Sequence, residues 1–291
     1  MESAKTNKTY KAWDTEQHLY NKWIKHIIGG IPLKDISSFH LEKLKKKMFD
    51  AGRASRSVAY ALAVVRQVFN FAKENDLFFG TNPVEKIKVP RKDNKRIRYL
   101  TYEEAETLLE KLQERSPDLH DMALLALHCG PRAGEIFALT WKDIDFEQGL
   151  VTFRHTKNGY VRHLPMTNQV REMLKYRELT KQSELVFPAR NGGKRKEISN
   201  SFERVITNLG WNKDVEDSRQ KIVFHTLRHT CASWLVMAGV PLYTVKEYLG
   251  HQKISQTERY AHLAPDSLQQ ATTALNNMGK KKNESKVVNL K

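Results

Sequence analysis

The sequence predicts a mainly α-helical chain of two domains, with a small antiparallel β-hairpin in the second. Three observations lead there. Val58, Leu62, Val65, Phe69 and Ala72 recur at helical spacing within a stretch free of Gly and Pro. Pro90 opens a basic run, residues 90–98, that breaks the helical pattern. Residues 150–165 hold two strand-like runs around Asn158-Gly159, a pair that favours the positive φ angles of a two-residue hairpin turn.

The first domain is expected over residues 1–90, with helices at 15–27, 39–49 and 55–75. Arg53, Arg56, Arg66 and Lys73 are spread around the last of these. Gly80 and Asn82-Pro83 are breakers that end the segment. Residues 91–98 carry no apolar periodicity and read as a basic interdomain linker lying near a phosphate backbone; composition alone fits a solvated basic loop equally well.

The second domain, 99–279, opens on a capping box. The Thr101 hydroxyl accepts the amide three residues on, and the Glu104 carboxylate reaches back. Beyond the hairpin, with Lys157 expected at its tip, helices are predicted at 168–177, 199–209, 226–237, 242–249 and 267–277. Residues 280–291 read as a polar tail.

The chain has 291 residues, with 49 Lys plus Arg against 33 Asp plus Glu, a formal charge of +16 on a sequence that is 40% hydrophobic. A folded, strongly basic protein implies a polyanionic partner: nucleic acid, or an anionic membrane surface. The first residues lack the apolar core of a signal peptide, and apolar runs such as 122–127 are too short to span a bilayer, so a cytoplasmic protein is expected. Cys129 and Cys231 sit far apart in apolar surroundings, outside any C-x-x-C pair, and fit buried structural roles.

Four stretches carry chemistry. In Gly130-Pro-Arg132-Ala-Gly-Glu135, an arginine and a glutamate three apart share a helix face just after an apolar run. A surface ion pair explains them, but a partly buried charge at that place needs a reason. In Phe224-His225-Thr-Leu-Arg228-His229, His225 and Arg228 share one face of a helix start; an ordinary capped helix explains them too. Leu249-Gly-His251-Gln and Thr257-Glu-Arg-Tyr260-Ala-His complete the set, although single His and Tyr residues near helix ends are commonly structural. No zinc spacing, phosphate-binding Gly-rich loop or serine-hydrolase elbow occurs, and no acidic stretch suits a two-metal nuclease. Together with Lys157 of the hairpin, the stretches supply Arg132 and Arg228, a lysine, histidines and a tyrosine, an inventory suited to phosphoryl transfer without metal. Guanidinium forks match the non-bridging oxygens, Lys or His protonates a leaving sugar oxygen, and nearby cations ease formation of a phenolate.

In this order, Arg132, Lys157, His225-x-x-Arg228, His251 and Tyr260 resemble the tyrosine recombinase family of phage integrases and Xer-like resolvases. The likeness spans nearly the whole chain: a helical core-binding domain, then a catalytic domain, closing as a two-domain clamp. It implies that Arg132 and Arg228 hold the scissile phosphate, Lys157 protonates the leaving 5′ oxygen, His225 assists proton transfer and His251 hydrogen-bonds the phosphate. Tyr260 forms a 3′-phosphotyrosyl link, and Glu135 supports Arg132. It further implies no metal or nucleotide cofactor, a double-stranded DNA partner, a homotetramer joined by exchange of a C-terminal helix (residues 264–278), and an accessory DNA-bending protein. Integration or excision of a phage or mobile element is the reading taken. An Xer-like resolvase or a transposon recombinase shares the residue set, a silent DNA-binding regulator shares the fold, and a type IB topoisomerase shares the chemistry.

Three departures stand out. Pro131 occupies a position that is usually apolar. Arg154 and Arg162 are cations close enough to be confused with Lys157. The chain begins almost at the core-binding domain, so it is expected either to lack the arm-site domain of many phage integrases or to be a trimmed form.

Overall fold

The computed structural model describes residues 10–90, 98–154, 159–265, 272–273 and 275–277. The chain divides into two compact units, residues 1–93 and 94–291. The basic run 91–97, Lys157 and the tail 280–291 lie outside the described residues, as does most of the expected last helix, of which residues 272–273 and 275–277 are helical.

In the first unit, α1 (Tyr10–Leu19) runs through a π-helical turn (Tyr20–Ile24) into α2 (Lys25–Ile28), followed by α3 (Ser38–Asp50) and α4 (Ser55–Glu74). The helix expected at 15–27 is already under way at Tyr10, the first described residue, and contains a wide turn that apolar periodicity does not register. The α4 stripe behaves as its spacing predicts, with Val58, Leu62, Val65, Phe69 and Ala72 all buried. The breaker Asn82 has a packing role of its own. Its buried amide donates to Arg66 O and to Asn70 Oδ1 at 3.3 and 3.0 Å, and its Oδ1 accepts from Val84 N at 3.1 Å, fastening the segment after α4 to that helix.

The second unit opens with α5 (Tyr102–Arg115), held by the expected capping box: Glu104 N donates to Thr101 Oγ1 at 3.2 Å and Thr101 N to Glu104 Oε2 at 2.9 Å. Then come α6 (Pro117–Cys129) and the short α7 (Ala133–Ile136). β1 (Ile144–Asp145), β2 (Leu150–Phe153) and β3 (Arg162–Pro165) follow, then α8 (Asn168–Leu179), α9 (Ser201–Asn208), α10 (Phe224–Met237) and α11 (Leu242–Leu249). Two 3₁₀ turns, Ile254–Gln256 and Glu258–Leu263, close the described domain.

α6 and α10 are buried almost all round and form the centre of this unit. α10 also fixes the domain entrance: Leu100 N donates to Thr230 Oγ1, and Trp234 Nε1 donates to Leu100 O, each at 3.0 Å. Cys129 and Cys231 are both free and buried. Among the described residues, no helix is long and apolar enough to cross a membrane.

The sheet has three antiparallel strands in the order β1-β2-β3, one more than the expected hairpin. The expected turn opens on Asn158, which with residues 155–157 lies outside the described residues. Phe153 pairs with Arg162 and Val151 with Leu164. Arg162 thus shares the inward face of β3 with Leu164, while His163 and Pro165 face out.

Replacing Thr101 with Ala removes the hydroxyl half of the capping box and is expected to cost about 1 kcal/mol in chemical denaturation. A change within a few tenths of zero would mean that the cap is not holding the start of α5.

Candidate active site

The site forms where two helices end against the first turns of a third. α6 terminates at Gly130, whose φ of +59° closes the helix in the left-handed region. α11 terminates in the same way at Gly250, with φ +66°. A side chain at either position also lacks space: a Cβ on Gly130 would lie 2.5 Å from Leu249 Cδ2, and one on Gly250 would lie 2.9 Å from Arg162 Nη1.

Arg228 reaches both helix ends from the second turn of α10. Its Nη1 donates to Gly130 O and its Nη2 to Leu249 O, the latter at 2.7 Å. The guanidinium is buried with no carboxylate among its hydrogen-bond partners; the carbonyls and negative dipole ends of two helices take that place. Burial, aided by Arg132 and Arg162, draws its proton affinity down to about 9, which leaves it charged at neutral pH.

Arg132 follows α6 and leads into α7. Its Nη1 donates to Glu135 Oε1 at 2.9 Å and its backbone N to Glu135 Oε2 at 3.1 Å, so the expected Arg–Glu pair is a side-chain and backbone clamp. The Arg132 side chain keeps 26% exposure, whereas that of Glu135 keeps 3%. Pro131 sits in this turn with a trans peptide bond.

Glu135 has a second partner that sequence reasoning missed. Arg162 Nη2 donates to its Oε2 at 2.7 Å, and the Arg162 side chain is only 3% exposed. The guanidinium lies 4.6 Å from the Phe153 ring centroid, and its Nε and Nη1 are buried without hydrogen-bond partners. Burial raises the Glu135 carboxyl affinity for a proton, but the two arginines together outweigh it and hold the carboxylate below the usual range. Strand alternation is the signal that marks Arg162, since it faces the core with Leu164.

His251 follows Gly250, and its Nδ1 is 2.9 Å from the hydroxyl of the buried Thr257. Burial, then Arg228, Arg132, Arg162 and Arg259, drives its proton affinity down to about 3. At neutral pH it is therefore an uncharged imidazole. In the tautomer protonated at Nε2, Nδ1 accepts from Thr257 and Nε2–H is left as a neutral donor.

Tyr260 sits in the 3₁₀ turn Glu258–Leu263 and is 6% exposed. Burial pushes its phenol up to about 12 against the pull of Arg259 and Arg228. Its hydroxyl hydrogen-bonds His229 Nδ1, not His225. His225 is exposed at the start of α10 and meets the His229 ring edge-to-face with centroids 4.8 Å apart. The structure thus brings Arg132, Glu135, Arg228, His251 and Tyr260 together, sets His225 one ring away from the tyrosine, and adds Arg162 and His229. Lys157 lies outside the described residues.

A mainly helical domain with a three-stranded antiparallel sheet and an Arg–His–Tyr cluster at converging helix ends has the fold of a tyrosine recombinase catalytic domain. The model of the Phage integrase family matches residues 98–267, and the chain belongs to that family, a class of tyrosine-type site-specific recombinases. It is 28% identical to the integrase of Salmonella phage P22, across 89% of this chain and 73% of that protein. It is 30% identical to tyrosine recombinase XerD of Halalkalibacterium halodurans, across 74% of this chain and 73% of the relative. In fold, it is similar to the Tn1549 transposon integrase in complex with a circular intermediate DNA, with TM-score 0.77, 19% identity, and 94% and 96% of the two chains covered. It is also similar to a lambda integrase dimer bound to a COC′ core site, with TM-score 0.74, 19% identity, and 89% and 73% covered.

Two outcomes follow from this geometry. Glu135→Ala leaves Arg162 as an unpaired buried charge and is expected to cost on the order of 3–5 kcal/mol in denaturant unfolding. Adding Arg162→Met should recover part of that loss, and strictly additive costs would show that the pair is not coupled. The folded chain also resists the protonation of His251 that the unfolded chain accepts from about pH 6.5 downward. Stability should therefore fall as pH drops from about 6.5 towards 3, and His251→Gln should flatten that slope in melting curves taken across the range. An unchanged slope would place the acid sensitivity elsewhere.

Proposed function

We propose that this chain cleaves and rejoins double-stranded DNA through a 3′-phosphotyrosyl intermediate on Tyr260, in the integration or excision of a phage or other mobile element. The observation that carries this reading is the buried Tyr260 set beside Arg228 and Arg259, in one cluster with Arg132 and a neutral His251. An uncharged imidazole donates to a phosphate oxygen without adding a proton that must later be removed. Fixed guanidiniums stabilise the charge that develops on the non-bridging oxygens, and because they are already held, they cost no reorganisation when the reaction occurs.

Arg132 is the more exposed arginine and the better placed to reach into solvent; Arg228 supplies a fixed charge beneath it. Glu135 holds Arg132, and Arg162 holds Glu135. Lys157 protonates the departing 5′ oxygen, and His225 assists proton transfer. The phenolic oxygen bonds to phosphorus as the bond to the 5′ oxygen breaks. Attack by a 5′ hydroxyl on the phosphotyrosine reverses the step, so phosphodiester energy is kept without ATP.

The working assembly is a homotetramer on two DNA sites, joined by C-terminal helix exchange and aided where needed by a DNA-bending protein. Solved lambda integrase structures include a dimer on a core site and a tetramer on a Holliday junction. The charge of +16 supports backbone-driven binding.

A nicked suicide substrate tests the reaction. Wild-type protein should accumulate a covalent protein–DNA adduct and Tyr260→Phe none, with DNA binding retained; an adduct of equal yield in Tyr260→Phe would exclude this nucleophile. Affinity for the same DNA should fall by about 10³-fold between 50 and 200 mM salt. A flat response in a binding titration would rule out a backbone clamp.

A further inference from the structure

We propose that His229 is the base that takes the phenolic proton from Tyr260, with His225 as the next group outward towards solvent. The proposal rests on the reading of Tyr260 as the nucleophile and assigns the proton to a residue outside the set that the family resemblance names.

Geometry carries the argument. His225 and His229 are four residues apart on α10, so their rings lie on one face of that helix. His225 is exposed and His229 is buried. The His229 ring meets the His225 ring edge-to-face at 4.8 Å, and its Nδ1 meets the Tyr260 hydroxyl. His229 thus touches both the exposed His225 and the nucleophile's hydroxyl. In the tautomer protonated at Nε2, Nδ1 accepts the phenolic hydrogen.

A base is needed here because burial keeps the phenol protonated at neutral pH. Once the proton leaves, Arg259, 5.9 Å from the Tyr260 ring centroid, and Arg228 both favour the phenolate. Among the described residues, the charged and titratable groups near the pair include His225, Arg228 and Cys231 on α10 and Arg259 beside Tyr260 on the 3₁₀ turn. α11 contributes apolar Val245 and Leu249 to the same cluster, and its Tyr248, whose phenol burial pushes up, packs against it.

The step balances within the reading above. The O–H bond of Tyr260 breaks, and its proton bonds to His229 Nδ1, giving an imidazolium. The phenolic oxygen bonds to phosphorus, the bond from phosphorus to the 5′ oxygen breaks, and that oxygen takes a proton from Lys157. On rejoining, a 5′ hydroxyl gives its proton back to Lys157 as its oxygen bonds to phosphorus, the bond from phosphorus to the tyrosine oxygen breaks, and His229 returns its proton to that oxygen.

The test is single-turnover adduct formation on the suicide substrate from about pH 5.5 to 9, comparing wild type with His229→Asn and His229→Gln. The Asn oxygen falls near the position of Nδ1 and accepts a hydrogen bond but takes no proton; Gln is a second variant should Asn impair folding. DNA affinity and the unfolding midpoint are measured alongside. The expected result is a loss of about 10²–10⁴-fold in adduct rate, disappearance of the rising limb of the wild-type pH profile, and unchanged DNA affinity. A substrate with a 5′-bridging sulfur, which departs without a proton, should restore Lys157→Ala but not His229→Asn.

A wild-type rate in either variant overturns the proposal. So does a slower rate that keeps the rising limb, which would make His229 a positioning residue only, and so does rescue by the bridging sulfur, which would move the proton defect to the leaving group. Loss of the adduct in both the wild type and Tyr260→Phe, or its persistence in both, would strike at Tyr260 itself and is read separately.

Discussion

The Arg228 guanidinium, buried in α10, donates to Gly130 O and Leu249 O and so binds the C-terminal ends of α6 and α11 to one helix. A buried charge without a carboxylate is costly unless fixed dipoles replace water, and two helix C-termini do so. The constraint spreads outward. Both helices must end abruptly, and both do so at a left-handed glycine whose missing side chain leaves room for Leu249 in one case and for Arg162 in the other. The residues just past those ends, Arg132 and His251, are delivered to the same place as a consequence.

The next layer is an imbalance of charge. Arg132 and Arg162 share one carboxylate, Glu135, and Arg228 has only carbonyls. The excess positive charge accounts, after burial, for the neutral state of His251, and it works against the burial that keeps Tyr260 protonated. An anion entering this pocket meets fixed cations and a neutral donor. That is the electrostatic requirement for a phosphodiester whose transition state gathers negative charge. Arg162 faces the core on β3, on the inner side of Glu135, where it stiffens the support of Arg132 while staying out of solvent itself.

Much of this was legible in the residues. The α4 stripe, the Thr101–Glu104 cap, the Arg132–Glu135 spacing and the burial of both cysteines follow from local pattern and composition. The π-helical turn after α1 did not, because one extra residue in a turn barely disturbs an apolar period. The pairing of β2 with β3 did not either, because inward packing of Arg162 and Leu164 against the core is not a local contact.

By itself, the sequence determined the chemistry-bearing inventory: two arginines, a lysine, histidines and a tyrosine in a fixed order, along with helix starts, helix ends and strand faces. Such features depend on residue type and short-range spacing, which the chain carries explicitly. Only the tertiary structure decided which histidine meets Tyr260, since His225 and His229 lie on one helix face and the choice depends on how the distant 3₁₀ turn docks against α10. It alone also decided that Arg228 is anchored by helix-end carbonyls and that Glu135 is shared with Arg162, because partners between 21 and 98 residues apart are brought together by packing of the core and not by any local spacing.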